Sequence, residues 1–132
     1  MNWTIERVEG AALDLDEVLE VYRASGLGQR RPADDRERMA AMVRNANLVL
    51  AARDTDGTLI GIARSVSDFS YVTYLSDIAV SDGYQRSGIG RALIDATRKT
   101  ARTRGHQTAR ACDHLRRECC SRFAAIPLTA SV

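Results

Sequence analysis

Gln85-Arg86-Ser87-Gly88-Ile89-Gly90 is the segment whose residue types and spacing carry chemistry most directly. An apolar run from Tyr71 to Val80 precedes it, and a patterned run from Gly88 to Arg104 follows. The first reads as a strand, the second as an amphipathic helix. A strand, a glycine turn and a helix N-terminus together form an anion site. The first amides of a helix lack intrahelical acceptors, and the helix dipole favours negative charge there. Gly88 and Gly90 also lack the Cβ atoms that would keep a phosphate away from that backbone.

The elements that must position this turn follow from periodicity. Trp3 to Val8 alternates as a first strand. Leu15, Val18, Leu19 and Tyr22 recur at helical spacing, with Asp14 or Asp16 as a cap. Ser25 to Pro32, with Gly26 and Gly28, reads as a loop. Pro32-Ala33-Asp34-Asp35 is expected to open a second helix with Met39, Met42 and Val43 on its apolar face. Leu48 to Ala52 is a short apolar strand, and Asp54-Thr55-Asp56-Gly57 is a hairpin turn into Leu59 to Val66. In Tyr71 to Val80, Val72, Tyr74, Ser76 and Ile78 alternate with Thr73, Leu75, Asp77 and Ala79. Both sets hold apolar residues, which predicts a central strand. The last helix carries Ile89, Ala92, Leu93, Ala96, Thr100 and Ala101 on one stripe, and Gly105 stops it. The order β-α-α-β-β-β-α predicts an α/β domain with a meandering sheet.

Composition sets the outer limits. The 132 residues suit one domain, 1–132, with a real core. A net charge of +2 is too small to imply a nucleic-acid partner. No run is long enough for a membrane span, and no signal peptide stands at Met1-Asn2-Trp3-Thr4, so a cytoplasmic location is expected. Cys112, Cys119 and Cys120 are odd in number and form no C-x-x-C pair. A zinc site with His106 or His114 is disfavoured by the spacing, and no metal is expected. Basic residues crowd the stretch from Arg98 to Arg122, opposed only by Asp113 and Glu118. No aromatic residues are interleaved to stack on bases, so a solvated face or attraction for an anionic cofactor is the expected role.

Gln85-Arg86-Ser87-Gly88-Ile89-Gly90 matches the pattern Gln/Arg-x-x-Gly-x-Gly/Ala. With the strand Tyr74 to Val80 before it and the helix to Gly105 after it, the segment resembles the GNAT N-acetyltransferase family. The resemblance covers roughly Trp3 to Thr108. It implies the acyl-CoA N-acyltransferase fold, in which a mixed, largely antiparallel central sheet is flanked by helices. It also implies acetyl-coenzyme A as cosubstrate. Backbone amides from Arg86 to Arg91, thus Arg86, Ser87, Gly88, Ile89, Gly90 and Arg91, would hold the pyrophosphate, and Gln85 would shape the loop. Ile78, Ala79 and Val80 would run beside the pantetheine arm. An N–H near Val80 would polarise the acetyl carbonyl. A neutral amine of a small molecule or peptide would then attack the thioester directly.

The resemblance leaves the proton acceptor open. Asp77 is a candidate base, at the end of the strand near the expected thioester; its other reading is a structural or solvent-facing acid. Asp68, Tyr71 and Tyr74, with helix residues from Glu20 to Arg38, are expected on the acceptor side. After Thr108 the family pattern is lost, so 1–108 is family-like and 109–132 an atypical tail. Arg110 and Asp113 suit a buried strand poorly, and no tyrosine follows Tyr84 to protonate a departing thiolate. A divergent ending and a shifted reading frame both account for this. A tail that adds no strands leaves a sheet edge that a second copy of the chain is expected to cover, as a homodimer. Two other functions therefore stand beside acetyl transfer. One is an acyl-CoA-binding module of the same fold with little turnover. The other is an Arg-rich interaction or nucleic-acid-binding protein.

Overall fold

The computed structural model describes residues 2–103 and 126–127. Its elements run β1 (Trp3–Val8), α1 (Leu15–Ala24), α2 (Arg36–Asn45), β2 (Leu48–Asp54), β3 (Leu59–Ser67), β4 (Thr73–Val80), α3 (Ile89–Thr103) and β5 (Ile126–Pro127). The strands lie in the sheet in chain order, and every described pairing is antiparallel. This is the expected order and a largely antiparallel sheet between helices. Gly105, the cysteines, the histidines and nearly all of the tail lie outside the described residues.

Local chemistry explains the boundaries. Asp14 caps α1, its carboxylate accepting the Asp16 amide at 2.8 Å. The second helix begins at Arg36 rather than Pro32, because Asp35 is its cap and accepts the Arg38 amide at 3.1 Å. The β4 strand begins at Thr73 rather than Tyr71. Asp68 holds the preceding turn by accepting the amides of Ser70, Tyr71 and Val72.

The sheet separates two apolar layers. One face of the sheet packs on α1 and α2, through Val18, Tyr22, Met39, Val49, Ala51, Ile62 and Ala79. The other packs on α3, through Leu48, Leu50, Ala63, Leu75, Ile89 and Leu93. Burial on both faces explains the unbroken apolar run Leu48 to Ala52. On α3 the buried stripe is Ile89, Leu93, Thr97 and Ala101, spaced by one helical turn. Thr97, rather than Thr100, occupies the core, and its hydroxyl is satisfied by the Leu93 carbonyl at 2.8 Å.

One irregularity matters for the site. Arg64 pairs with Asp77 but Ser65 pairs with Leu75, so Ser76 is an extra residue in β4. Such a bulge reverses the side-chain alternation beyond it. Leu75 therefore lies in the layer on α3, while Asp77 meets Tyr22 of α1. The single strict alternation expected from Val72 to Val80 is thus corrected: the strand changes phase at Ser76.

Candidate functional site

The turn between β4 and α3 is built to leave amides free. A short 3-10 turn, Asp82–Tyr84, leaves the strand. Gln85 folds back and donates its Nε2 to the Val80 carbonyl at 3.0 Å. The Ser87 hydroxyl donates to the Tyr84 carbonyl. Arg86 and Gly88 both take left-handed backbone, at φ 63° and 87°. The first backbone bond of α3 runs from the Ala92 amide to the Gly88 carbonyl at 3.0 Å. Amides ahead of Ala92 have no acceptor within the helix and face outward.

The space before them is open. Among the described residues, a Cβ at Gly88 would meet nothing within 4 Å, and one at Gly90 would find only Val80 Cγ2 at 3.9 Å. Gly88 is needed for its backbone angle, and neither glycine is needed to relieve crowding within the chain. Open space at two glycines beside helix-start amides is a donor set that fits a pyrophosphate.

The edge of β4 beside this turn is also open among the described residues. β3 pairs along one side, and on the other β5 reaches only Tyr74 and Leu75. Among the described residues no strand pairs with the outer edge of Ser76 to Val80. The Ser81 amide donates to the Ile60 carbonyl at 2.9 Å, so Ala79 also points its backbone toward β3. Ile78 and Val80 then point theirs to the open edge. Of Ile78, Ala79 and Val80, these two turn backbone groups to that edge, where the Val80 carbonyl is taken by Gln85.

Asp77 is the centre of a buried polar cluster. It is 2% exposed. Tyr22 Oη donates to Oδ2 at 2.7 Å. Arg64 Nε donates to the same oxygen at 2.6 Å, and Arg31 Nε donates to Oδ1 at 2.7 Å. The second nitrogens of both guanidinium groups lie 2.6 Å from the carboxylate. Two cations thus surround one anion, with side chains 9% and 11% exposed. Burial first, and then the Asp77 carboxylate, push the Tyr22 phenol well above its ordinary range. Against the cost of burial, the Asp77 carboxylate and the Tyr22 hydroxyl hold the Arg64 guanidinium above its usual value.

This geometry bears on the two readings of Asp77, base and structural acid. A general base must offer a free lone pair to the incoming proton. Both Asp77 oxygens are already taken by donors from α1, β3 and the segment between α1 and α2. The structural reading of this acid is the one the geometry favours. Tyr22, Arg31 and Arg64 are the partners that sequence reasoning does not single out. The available signal is weak: a hydroxyl on an apolar helix stripe, and an arginine inside an apolar strand.

The acceptor-side candidates separate. Asp68 is committed to its turn, where amides of Tyr71, Ser70 and Val72 hold its carboxyl below the usual range. Tyr71 is 57% exposed at the tip of that turn. Tyr74 is half-buried on β4, next to β5.

Comparison with known proteins agrees with this architecture. The sequence model described as the acetyltransferase (GNAT) family matches residues 15–125, past the expected limit at Thr108. Histone acetyltransferase TAP1 of Glycine max is 33% identical over 81 residues, covering 54% of this chain and 34% of that protein. The chain spans about a third of the length of the curated relatives it matches. The ribosomal-protein-S18-alanine N-acetyltransferase of Escherichia coli superimposes with a TM-score of 0.69 at 20% identity, over 99% of this chain and 96% of that one. An aminoglycoside 6'-N-acetyltransferase complexed with coenzyme A superimposes with a TM-score of 0.61 at 16% identity, over 77% and 57% of the two chains.

Proposed function

The chain belongs to the acetyltransferase (GNAT) family, and we propose that it moves an acetyl group from acetyl-coenzyme A directly to a primary amine of a small molecule or peptide. One observation carries this reading: an edge of β4 that no strand pairs among the described residues runs straight into the amide-lined turn before α3. A ligand with a pyrophosphate at one end and an amide-bearing arm at the other fits both parts in sequence.

Amides from Arg86 to Arg91 would bind the pyrophosphate, and the Val80 carbonyl, held by Gln85, would fix the turn to the strand. Ile78 and Val80 would bond the arm as a neighbouring strand would. When bound, acetyl-coenzyme A supplies an activated thioester carbonyl. The protein's part is to orient that carbonyl and to offer it an N–H near Val80.

The absence of any tyrosine after Tyr84 favours a second reading, in which the domain binds acyl-coenzyme A with little turnover. Thiol release from acetyl-coenzyme A over a panel of primary amines decides between them. Release above the rate without amine supports transfer; tight binding with no release supports the binding module. No binding of coenzyme A by calorimetry overturns both. A homodimer is part of the proposal and rests on β5, whose two residues end the described sheet and leave its last edge to a second copy, clear of Ser76 to Val80. Sedimentation showing only monomer removes it. A cytoplasmic setting is also proposed, one in which the three cysteines would stay reduced.

A further inference from the structure

We infer that Arg31, with Asp77 and Arg64, clamps the bulge of β4 and is a positioning residue for the pantetheine half of the cofactor; this rests on the reading of the chain as an acetyl-coenzyme A-dependent acetyltransferase. The clamp is visible in the pairing of contacts. Each guanidinium grips both Asp77 and the bulge residue. Arg31 Nη2 is 2.6 Å from Asp77 Oδ1 and 3.4 Å from the Ser76 carbonyl. Arg64 Nη2 is 2.6 Å from Asp77 Oδ2 and 2.9 Å from the Ser76 hydroxyl.

Among the described residues, Ser76 is where the outer edge of β4 ceases to be paired. With an extra residue in it, this strand end has a ladder on the β3 side only and, among the described residues, none on its outer side to fix its direction. The two arginines supply that constraint from opposite sources. Arg64 comes from β3, the paired side. Arg31 comes from the segment between α1 and α2, outside the sheet, and so ties that segment to the bulge.

The constraint acts on Ser76 to Val80 and not on the turn before α3. That turn, though joined to the strand by Gln85 on Val80, has its own anchor in the hairpin between β2 and β3, through Tyr84 on Asp54. Losing Arg31 therefore affects the ligand half that lies on the strand edge and spares the half that lies on the turn. Asp77→Asn is a poor test, because two buried cations would be left beside a neutral amide and the fold itself would be at risk. Arg31→Ala leaves the Asp77–Arg64 pair intact.

The experiment is calorimetry with two ligands, coenzyme A and its nucleotide half, 3′-phospho-ADP, on the full chain and on Arg31→Ala and Arg31→Lys. The full chain binds both. Arg31→Ala weakens coenzyme A about tenfold, the scale of one charge-assisted hydrogen bond, and leaves 3′-phospho-ADP within about twofold. Arg31→Lys keeps the charge but not the two-pronged contact, and stays closer to Arg31→Ala than to the full chain. Equal losses for both ligands, or no loss for either, overturn the clamp. Failure of the unaltered chain to bind either ligand overturns the functional reading, and the clamp with it.

Discussion

Tyr84 Oη donates to Asp54 Oδ2 at 3.1 Å, joining the turn before α3 to the hairpin between β2 and β3. The other Asp54 oxygen accepts the amides of Asp56 and Thr58 and so shapes that hairpin. One carboxylate thus sets two turns that are 30 residues apart in the chain. The same bond pushes the Tyr84 phenol above its ordinary value. Tyr84→Phe is expected to weaken coenzyme A roughly threefold in calorimetry, the low end for one hydrogen bond. An unchanged affinity would show that the tether does not set the turn.

Gly88 and Gly90 respond differently to the same substitution. At φ 87° an added Cβ at position 88 is strained even in open space, so Gly88→Ala costs about 1 kcal/mol in chemical denaturation. Gly90→Ala sits in the first turn of α3 with ordinary contact and leaves stability unchanged or raised. Both lower coenzyme A affinity, and Gly88→Glu abolishes it by placing bulk and negative charge before the amides. Full affinity in Gly88→Glu would sink the assignment of the turn.

Tyr22 makes stability depend on pH in the alkaline range. Its phenol is pushed up in the folded chain by burial and by Asp77. The proton is held more tightly folded than unfolded. The contribution is therefore complete below about pH 10, the unfolded value, and is lost as pH rises through the higher folded value. Tyr22→Phe removes it and leaves one buried acceptor short of a donor, a loss of about 1–3 kcal/mol at neutral pH. Urea midpoints of the two proteins should differ by a constant amount up to about pH 10 and converge above it. A gap that widens above that pH contradicts the assignment.

Asp68 gives the opposite sign. Its folded carboxyl lies below the ordinary range because the Tyr71, Ser70 and Val72 amides donate to it. The order it confers is present above about pH 3.9 and is lost as pH falls through the lower folded value. Amide resonances of Ser70, Tyr71 and Val72 should move together only under acid conditions. In Asp68→Ala those three amides should exchange faster with solvent. Independent movement of the three would break the link to one carboxylate.

The anion turn is legible in the sequence because everything that makes it is local. Glycine spacing, the strand before it and the apolar stripe after it all lie between Tyr71 and Arg104. The Asp77 cluster is not legible for the opposite reason. Its partners stand 13, 46 and 55 residues away from Asp77. Only the register of β3 on β4 and the packing of α1 on the sheet bring them together. The same lack of register hides the bulge. Leu75, Asp77 and Ala79 read as one face by alternation, and nothing in their types marks Ser76 as the extra residue. Thr97 escapes as well, since a threonine gives no sign that its hydroxyl will be satisfied by its own helix.

The extra residue at Ser76 makes β4 two half-strands in opposite phase, welded at one point. Removing Ser76 would bring the two halves into step. Asp77 would then follow Leu75 directly and, by ordinary alternation, would still face Tyr22 and Arg64. What the strand would lose is the hydroxyl and the carbonyl through which Arg64 and Arg31 hold its edge. The extra residue is therefore a handle on the backbone, one that a regular strand would not offer.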